Sequence, residues 1–293
     1  MARALHYVFK IGNRKKSYDF FTEVLHMKVL RHEEFSEGCK AACNGPYDGM
    51  WSKTMVGYGA EDDHFVFELT YNYGKTSYAL GNDFAGAYIE SYDVFANIRS
   101  LQLGQSSGDQ KWFRIEDPDG HPFFISEGHR NGDPVCKIAL NTNSLAETIH
   151  YWTDFAGMSV VSRDDRSCIL SFGDDQCCLE WRKIDDKLYR GEAYGRIAFS
   201  IPTAQLKPLE EKARKEQKKI LTPYTSLPTE SKATVDVVIL ADNNDHEICF
   251  VGDEGFRELS AVDPKSDQLL RNAIDEDHSS EWDGIRRKKK TQK

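Results

Sequence analysis

No stretch of this 293-residue chain is apolar for long enough to cross a bilayer. The longest apolar run, Val235 to Ala241, is broken by Asp236 and falls far short of the ~20 residues that a spanning helix needs. Positive charge is also scarce: 38 Lys and Arg stand against 47 Asp and Glu, for a net charge of -9. Nucleic acid is therefore not an expected partner, since phosphate backbones are held by clustered cations. The one basic run, Arg286 to Lys290, sits at the extreme C-terminus and reads as a solvated tail. C-x-x-C spacing is missing too, although there are seven cysteines. Cys39 and Cys43 are four apart, and Cys177 and Cys178 are adjacent, so no zinc finger is indicated. With no secretory signal, the thiols are expected to be reduced, in the cytosol or inside an organelle. A cleaved mitochondrial presequence is not expected, because strand-like residues begin by Leu5.

What is present is the composition of a soluble, folded protein, 40% apolar with 12% aromatics against 29% charged residues. A strand–helix–strands unit then recurs along it. In the first copy, Leu5 to Ile11 is strand-like, and Lys15 to Leu25 carries apolar residues at 18, 21 and 25, a helical spacing. Strands at 27–31, 52–58 and 65–70 complete it. The order βαβββ returns from Val135, with Ser144 and Glu147 forming a capping box before the stripe Leu145, Ile149, Trp152 and Ala156. Strands at 159–162, 167–172 and 176–182 follow. A further copy runs from Gly195 through a charged helix at 206–217 to strands at 234–241 and 247–252. The shortest copy spans 85–127, with a helix at 94–103 and a hairpin turning at Asp117-Pro-Asp-Gly120. The expected architecture is α+β, four tandem βαβββ modules paired in chain order into two half-barrel domains, 3–128 and 134–255, split at the polar stretch Gly128 to Pro134. Residues 263–293 read as a charged tail or appended helix.

Leu5-His6-Tyr-Val-Phe-Lys10, followed by Lys16-Ser-Tyr-Asp-Phe-Phe-Thr-Glu-Val-Leu, resembles the opening module of glyoxalase I. Phe67-Glu68-Leu-Thr-Tyr-Asn72-Tyr-Gly74 is similar to the segment that carries a metal-binding glutamate in that family, the vicinal-oxygen-chelate proteins. The resemblance covers residues 3 to about 260 and implies isomerisation of the hemithioacetal that methylglyoxal forms with glutathione, a detoxification of aldehydes. It further implies a divalent metal, zinc, nickel, cobalt or manganese, as the Lewis acid, and a carboxylate that moves the proton. Ligands would come from the first and last strands of each module.

Carried over, the first module's ligands fall on His6 and Glu68, and its glutathione-holding positions on Lys10 and Asn72. The second module's ligands fall on Gly86 and Phe124, so two of four are lost, including the proton-moving carboxylate. Glu127 is nearby, but its odd spacing from Phe124 points it to the other face of a regular strand. In the second half the same four positions are Lys137, Glu180, Arg196 and Cys249. Two cations exclude a hard-metal site there, and an anion-binding cleft for a carboxylate or phosphate metabolite stands against a structural ion-pair cluster. Two functions follow as expectations. One is a lactoylglutathione-lyase-like enzyme working through His6 and Glu68. The other is a degenerate relative that uses its clefts to bind a small anionic metabolite or a protein partner. The cytosol is the expected compartment, with mitochondria, a family association, as the alternative.

Overall fold

Alternation along the first strand, β1 (Arg3–Ile11), turns Tyr7, Phe9 and Ile11 into the main core and leaves His6, Val8 and Lys10 on the opposite face. The computed structural model describes residues 2–106, 111–130, 132–229 and 232–282, so the basic run Arg286 to Lys290 lies outside the described residues. After β1, Asn13 caps α1 (Arg14–Asp19) by accepting the Lys16 amide. The helix then widens into a π turn over Phe20–Val24, where the expected helix ran on regularly to 25. The extra residue in that turn lets the adjacent Phe20 and Phe21 both reach the core. Strands β2 (Lys28–Phe35), β3 (Trp51–Gly57) and β4 (Val66–Asn72) complete the first module.

The second module holds β5 (Phe84–Glu90), α2 (Tyr92–Ser100), β6 (Gln105–Ser106), β7 (Phe113–Glu116) and β8 (Pro122–Ser126). The third holds β9 (Val135–Thr142), α3 (Leu145–His150), β10 (Ser159–Arg163), β11 (Ser167–Ser171) and β12 (Cys178–Lys183). Its helix also opens as expected on Ser144, and it ends in the same π turn, over Tyr151–Phe155, so the repeat extends to local detail. The fourth holds β13 (Arg196–Ile201), α4 (Leu206–Lys215), β14 (Lys219–Thr229), β15 (Lys232–Ala241) and β16 (Glu247–Gly252). Strand β14 escaped the sequence reading because Pro223 and Pro228 interrupt its pattern. Both are compatible with a strand at a sheet edge, which is where β14 lies.

Two eight-stranded sheets result, in the orders β14, β15, β16, β13, β1, β4, β3, β2 and β10, β11, β12, β9, β5, β8, β7, β6. At the centre of each, two first strands meet antiparallel, His6 opposite Ala198 in one and Tyr88 opposite Lys137 in the other. The sequence grouped the modules in chain order; the hydrogen-bonded sheets join the first to the fourth and the second to the third. One core runs between both sheets, with Phe9, Phe67 and Phe123 from one half of the chain alongside Trp152, Trp181 and Phe199 from the other.

Two helices follow the last strand. α5 (Asp253–Leu259), which the sequence pattern did not reveal, lies over β13, β15 and β16 and buries Phe256 and Leu259 against Leu5, Ala198 and Val237. α6 (Ser266–Asp275) docks on β2. There Arg14, buried beneath Tyr71 and Tyr73, donates to Glu34, to Asp277 and to the carbonyl of Ala273. The appended helix is therefore part of the first module's surface. No helix among the described residues is long and apolar enough to cross a membrane.

Candidate functional site

On the face of the first sheet turned away from the core, β1 and β4 run parallel and set His6 beside Glu68, with the imidazole Nε2 3.6 Å from the carboxylate. The other ring nitrogen, Nδ1, lies 2.6 Å from Oε1 of Glu61. A carboxylate only accepts, so Nδ1 is the donor to Glu61, while Nε2 faces Glu68 at a distance longer than a hydrogen bond. Glu68 in turn accepts from the Thr70 hydroxyl at 3.1 Å. Glu61 is held by Arg31, 3.8 Å away, and its carbonyl accepts from the Arg3 guanidinium. Burial alone would raise the Glu61 carboxyl, but His6, Arg31 and Arg3 more than offset it and hold the group below its ordinary value. His6 and Glu68 are 9% and 7% exposed, so water is largely excluded from the array. Glu61 was missed from sequence because it sits in the polar turn Glu61-Asp-Asp-His64 between β3 and β4, which reads as an ordinary loop.

Two segments of the chain cover this face. α5 brings the Phe256 ring to 6.2 Å from His6, and the loop 36–50 closes the other end. Asn72, an expected glutathione contact, is occupied by that loop: it accepts from the Asn44 amide at 2.8 Å and donates to the Asn44 carbonyl and the Tyr78 hydroxyl. Lys10, the other expected contact, donates to the Tyr194 carbonyl at 2.6 Å. Arg196 clasps Glu247 at 2.7 and 2.9 Å and donates to the carbonyls of Ala41 and Ala42. Those two carbonyls lie inside a ring closed by a Cys39–Cys43 disulfide, which corrects the expectation that all seven thiols are reduced. The tight turn that donates the Ala42 amide to the Cys39 carbonyl, with Ala42 at φ 51°, brings the two Cα atoms to 5.4 Å, within disulfide range. The remaining five cysteines are free, and burial pushes the Cys249 thiol up to about 11 despite the nearby Arg196.

The corresponding face of the second sheet carries different chemistry. Lys137 pairs with Glu180, which also accepts from Arg182 at 2.8 and 3.0 Å, and both cations lie against the Tyr88 ring. Tyr88 stacks on Phe124 at 4.6 Å and meets Trp112 edge-on. Gly86 and Phe124 are fitted to each other, since a Cβ on Gly86 would stand 2.5 Å from the Phe124 ring. Glu127 lies past the end of β8 and is exposed. The four residues expected to converge in one anion cleft are thus divided: Lys137 and Glu180 lie on the second sheet, Arg196 and Cys249 on the first, facing His6 and Glu68. The regrouped pairing of modules is the cause. A separate cavity of about 480 Å³ opens beyond Glu61, between Arg3, Asp62, Asp133, Asp175, Asp253 and Arg257, and its acidic walls disfavour an anionic thiol such as glutathione.

The donors present do not fit the four-ligand metal site implied by the resemblance. His6 and Glu68 supply two, while the facing positions are a guanidinium, already clasping Glu247, and a buried thiol that stays protonated at neutral pH. No group of three or more His, Cys, Asp or Glu side chains placed to hold a metal occurs among the described residues.

Paired βαβββ modules with an acid–histidine array on the first and last strands of a module define a protein of the glyoxalase class. The crystal structure of glyoxalase I from Zea mays shares the fold, with a TM-score of 0.70 at 22% identity over 88% of this chain and 94% of that one. A putative dioxygenase from Bacillus subtilis matches with a TM-score of 0.66 at 10% identity, over 93% and 95%. The family description "glyoxalase domain-containing protein 4-like, C-terminal domain" matches residues 144–259. Glyoxalase domain-containing protein 4 of Rattus norvegicus is 51% identical over 98% of both chains, and a Caenorhabditis elegans protein named glyoxalase 1 is 47% identical over 96% of this chain and 99% of its own. The chain belongs to the glyoxalase domain-containing protein 4 family.

Proposed function

We propose that the first sheet's cleft catalyses a glyoxalase-type isomerisation, a proton shift between adjacent carbons of the adduct that a 2-oxoaldehyde such as methylglyoxal forms with glutathione. The observation that carries this reading is His6 held between two carboxylates, Glu61 on Nδ1 and Glu68 facing Nε2. Glu68 takes the proton from the carbon bearing sulfur and returns it to its neighbour. His6, oriented by Glu61, exchanges a proton with the adjacent oxygens. Substrate reaches these groups only when α5 or the loop 36–50 moves, as lids do in many enzymes. The relatives named glyoxalase 1 and lactoylglutathione lyase support the class of reaction.

The test is to purify the whole chain, measure bound zinc, nickel, cobalt and manganese, and follow hemithioacetal turnover with each ion added and with none. Turnover that falls on His6→Ala and Glu68→Gln supports the reading. Absence of turnover under every condition ends it. A second reading has its own observation: Asn72 and Lys10 already spend their hydrogen bonds on Asn44 and Tyr194. On that reading the chain is a closed, catalytically silent relative that binds a small anionic metabolite or a protein partner. We assign the cytosol as its compartment, which fractionation of cells against a mitochondrial marker checks.

A further inference from the structure

The loop 36–50, between β2 and β3, contains no helix or strand. A structureless connection of that length in a compact fold is commonly a binding loop or a lid. Its fixed part is the turn from Cys39 to Gly45, which is tied in two ways. To the sheet, Arg196 of β13 donates to the carbonyls of Ala41 and Ala42 at 3.2 and 3.1 Å, and the fully buried Asn44 exchanges hydrogen bonds with Asn72 of β4. Within itself, the Ala42 amide donates to the Cys39 carbonyl, the Cys39 amide donates to the Asn44 side-chain oxygen, and the Cys39–Cys43 disulfide closes the ring across residues 39–43. Ala42 sits at φ 51°, a left-handed conformation that sterics disfavour roughly tenfold for a residue with a Cβ. The closed ring holds it there, and in that conformation the turn presents both carbonyls to Arg196. Ala42, Cys43 and Gly45 thereby lie against Lys10, Arg196 and Glu247 at one end of the first sheet's cleft. Cys39 and Cys43 are both part-exposed, within reach of a thiol in solution.

We propose that the Cys39–Cys43 pair is a redox latch on this loop: as the disulfide it holds the loop down over Lys10 and Arg196, and reduction by a dithiol lets it lift. A thiolate of the dithiol attacks one of the two sulfurs, a new S–S bond forms as the Cys39–Cys43 bond breaks, and the electron pair of that bond leaves on the other cysteine, which takes up a proton. The dithiol's second thiolate then displaces the first cysteine in the same way. Two electrons and two protons pass to the chain, and the dithiol leaves as its own disulfide. With the ring open, Ala42 relaxes to negative φ and the turn no longer presents both carbonyls to Arg196. The loop also regains the freedom that ring closure had removed, so it opens about 30-fold more often, the effect of closing so small a ring. Any effect on turnover rests on the isomerisation proposed above; the hold on the loop does not.

The test uses the full chain, oxidised with glutathione disulfide or reduced with dithiothreitol. Alkylation and mass spectrometry report whether Cys39 and Cys43 are paired, and hydrogen exchange reports how often the loop opens. The expected result is a Cys39–Cys43 disulfide after oxidation. After reduction, the amides of Gly38, Cys39, Ala42 and Gly45, all hydrogen-bonded in the closed loop, should exchange about 30-fold faster while β1 and β13 stay unchanged. The double variant Cys39→Ser with Cys43→Ser should exchange at the fast rate under both conditions; where it fails to fold, the wild type under the two conditions still decides. Two cysteines that stay free after oxidation, or loop amides that exchange equally in both states, overturn the proposal. Hemithioacetal turnover is followed in parallel. A loop that answers to redox state with no turnover in either state sinks only the isomerisation, and turnover with a loop indifferent to redox state sinks only the latch.

Discussion

Glu61 reaches across from the β3–β4 turn to place its Oε1 2.6 Å from Nδ1 of His6, and so decides which imidazole nitrogen faces Glu68. This acid comes from a turn rather than from a strand end, and it acts on the histidine.

Replacing Glu61 with Gln should therefore cost twice. Buried Arg31 and His6 lose their shared anion, which lowers stability by about 3 kcal/mol, and turnover, where it is found, drops by about 100-fold. Because the Glu61 carboxyl is held below its ordinary value, its stabilisation is fully present above pH 4.5 and lost as pH falls through the folded value. Urea melts of wild type and Glu61→Gln should converge in acid. A constant difference at all pH values would contradict this assignment.

Lys10 makes the opposite prediction. Its folded-state value lies below its unfolded 10.5, so from about pH 7 upward the unfolded chain binds the extra proton and stability rises with pH. Lys10→Met should stabilise the protein most at and below neutral pH, by roughly 2 kcal/mol once the lost bond to the Tyr194 carbonyl is deducted. The gain should fade toward pH 10.5. A gain independent of pH would mean that the buried amine is not the cause.

Gly86 and Phe124 should behave as a coupled pair. Gly86 has φ +147°, where an L side chain is strained, and its Cβ would strike the Phe124 ring. Gly86→Ala should destabilise by about 3 kcal/mol. Adding Phe124→Ala removes the collision but not the backbone strain, so a double-mutant cycle should show coupling of about 1 kcal/mol. Strictly additive effects would rule out the steric link.

Arg14 anchors the C-terminal helix. Its removal in Arg14→Ala strands Asp277 and frees the Ala273 carbonyl, at a cost of about 2–3 kcal/mol after allowing for the partly exposed Glu34. Limited proteolysis should then cut within 260–282 before the rest of the chain. Unchanged protection of that segment would show that α6 docks without Arg14.

Much of this structure was legible residue by residue. The capping Ser144, the apolar stripe around Trp152 and the alternation of β1 and β4 are local patterns, and each element formed where its periodicity put it. His6 and Glu68 were singled out through the resemblance rather than by periodicity, and the parallel pairing of β1 with β4 sets them on one face. Strand β14 was not, because its prolines mark an edge only once the sheet is known. α5 was hidden because only Phe256 and Leu259 of its seven residues reach the interior, too few to set a period.

The amino-acid sequence by itself determined four βαβββ modules and, through resemblance, their family. Tertiary structure alone decided which modules share a sheet, and through that which side chains meet. Every module offers its first strand as a free edge, and nothing local distinguishes one edge from another. The choice rests on long-range fit, Ala198 against His6 and Lys137 against Tyr88, and on the one core between the sheets. That pairing is why Arg196 and Cys249 face His6 and Glu68, why Lys137 and Glu180 face the Gly86–Phe124 pair, and why α5, which follows the fourth module, brings Phe256 over His6.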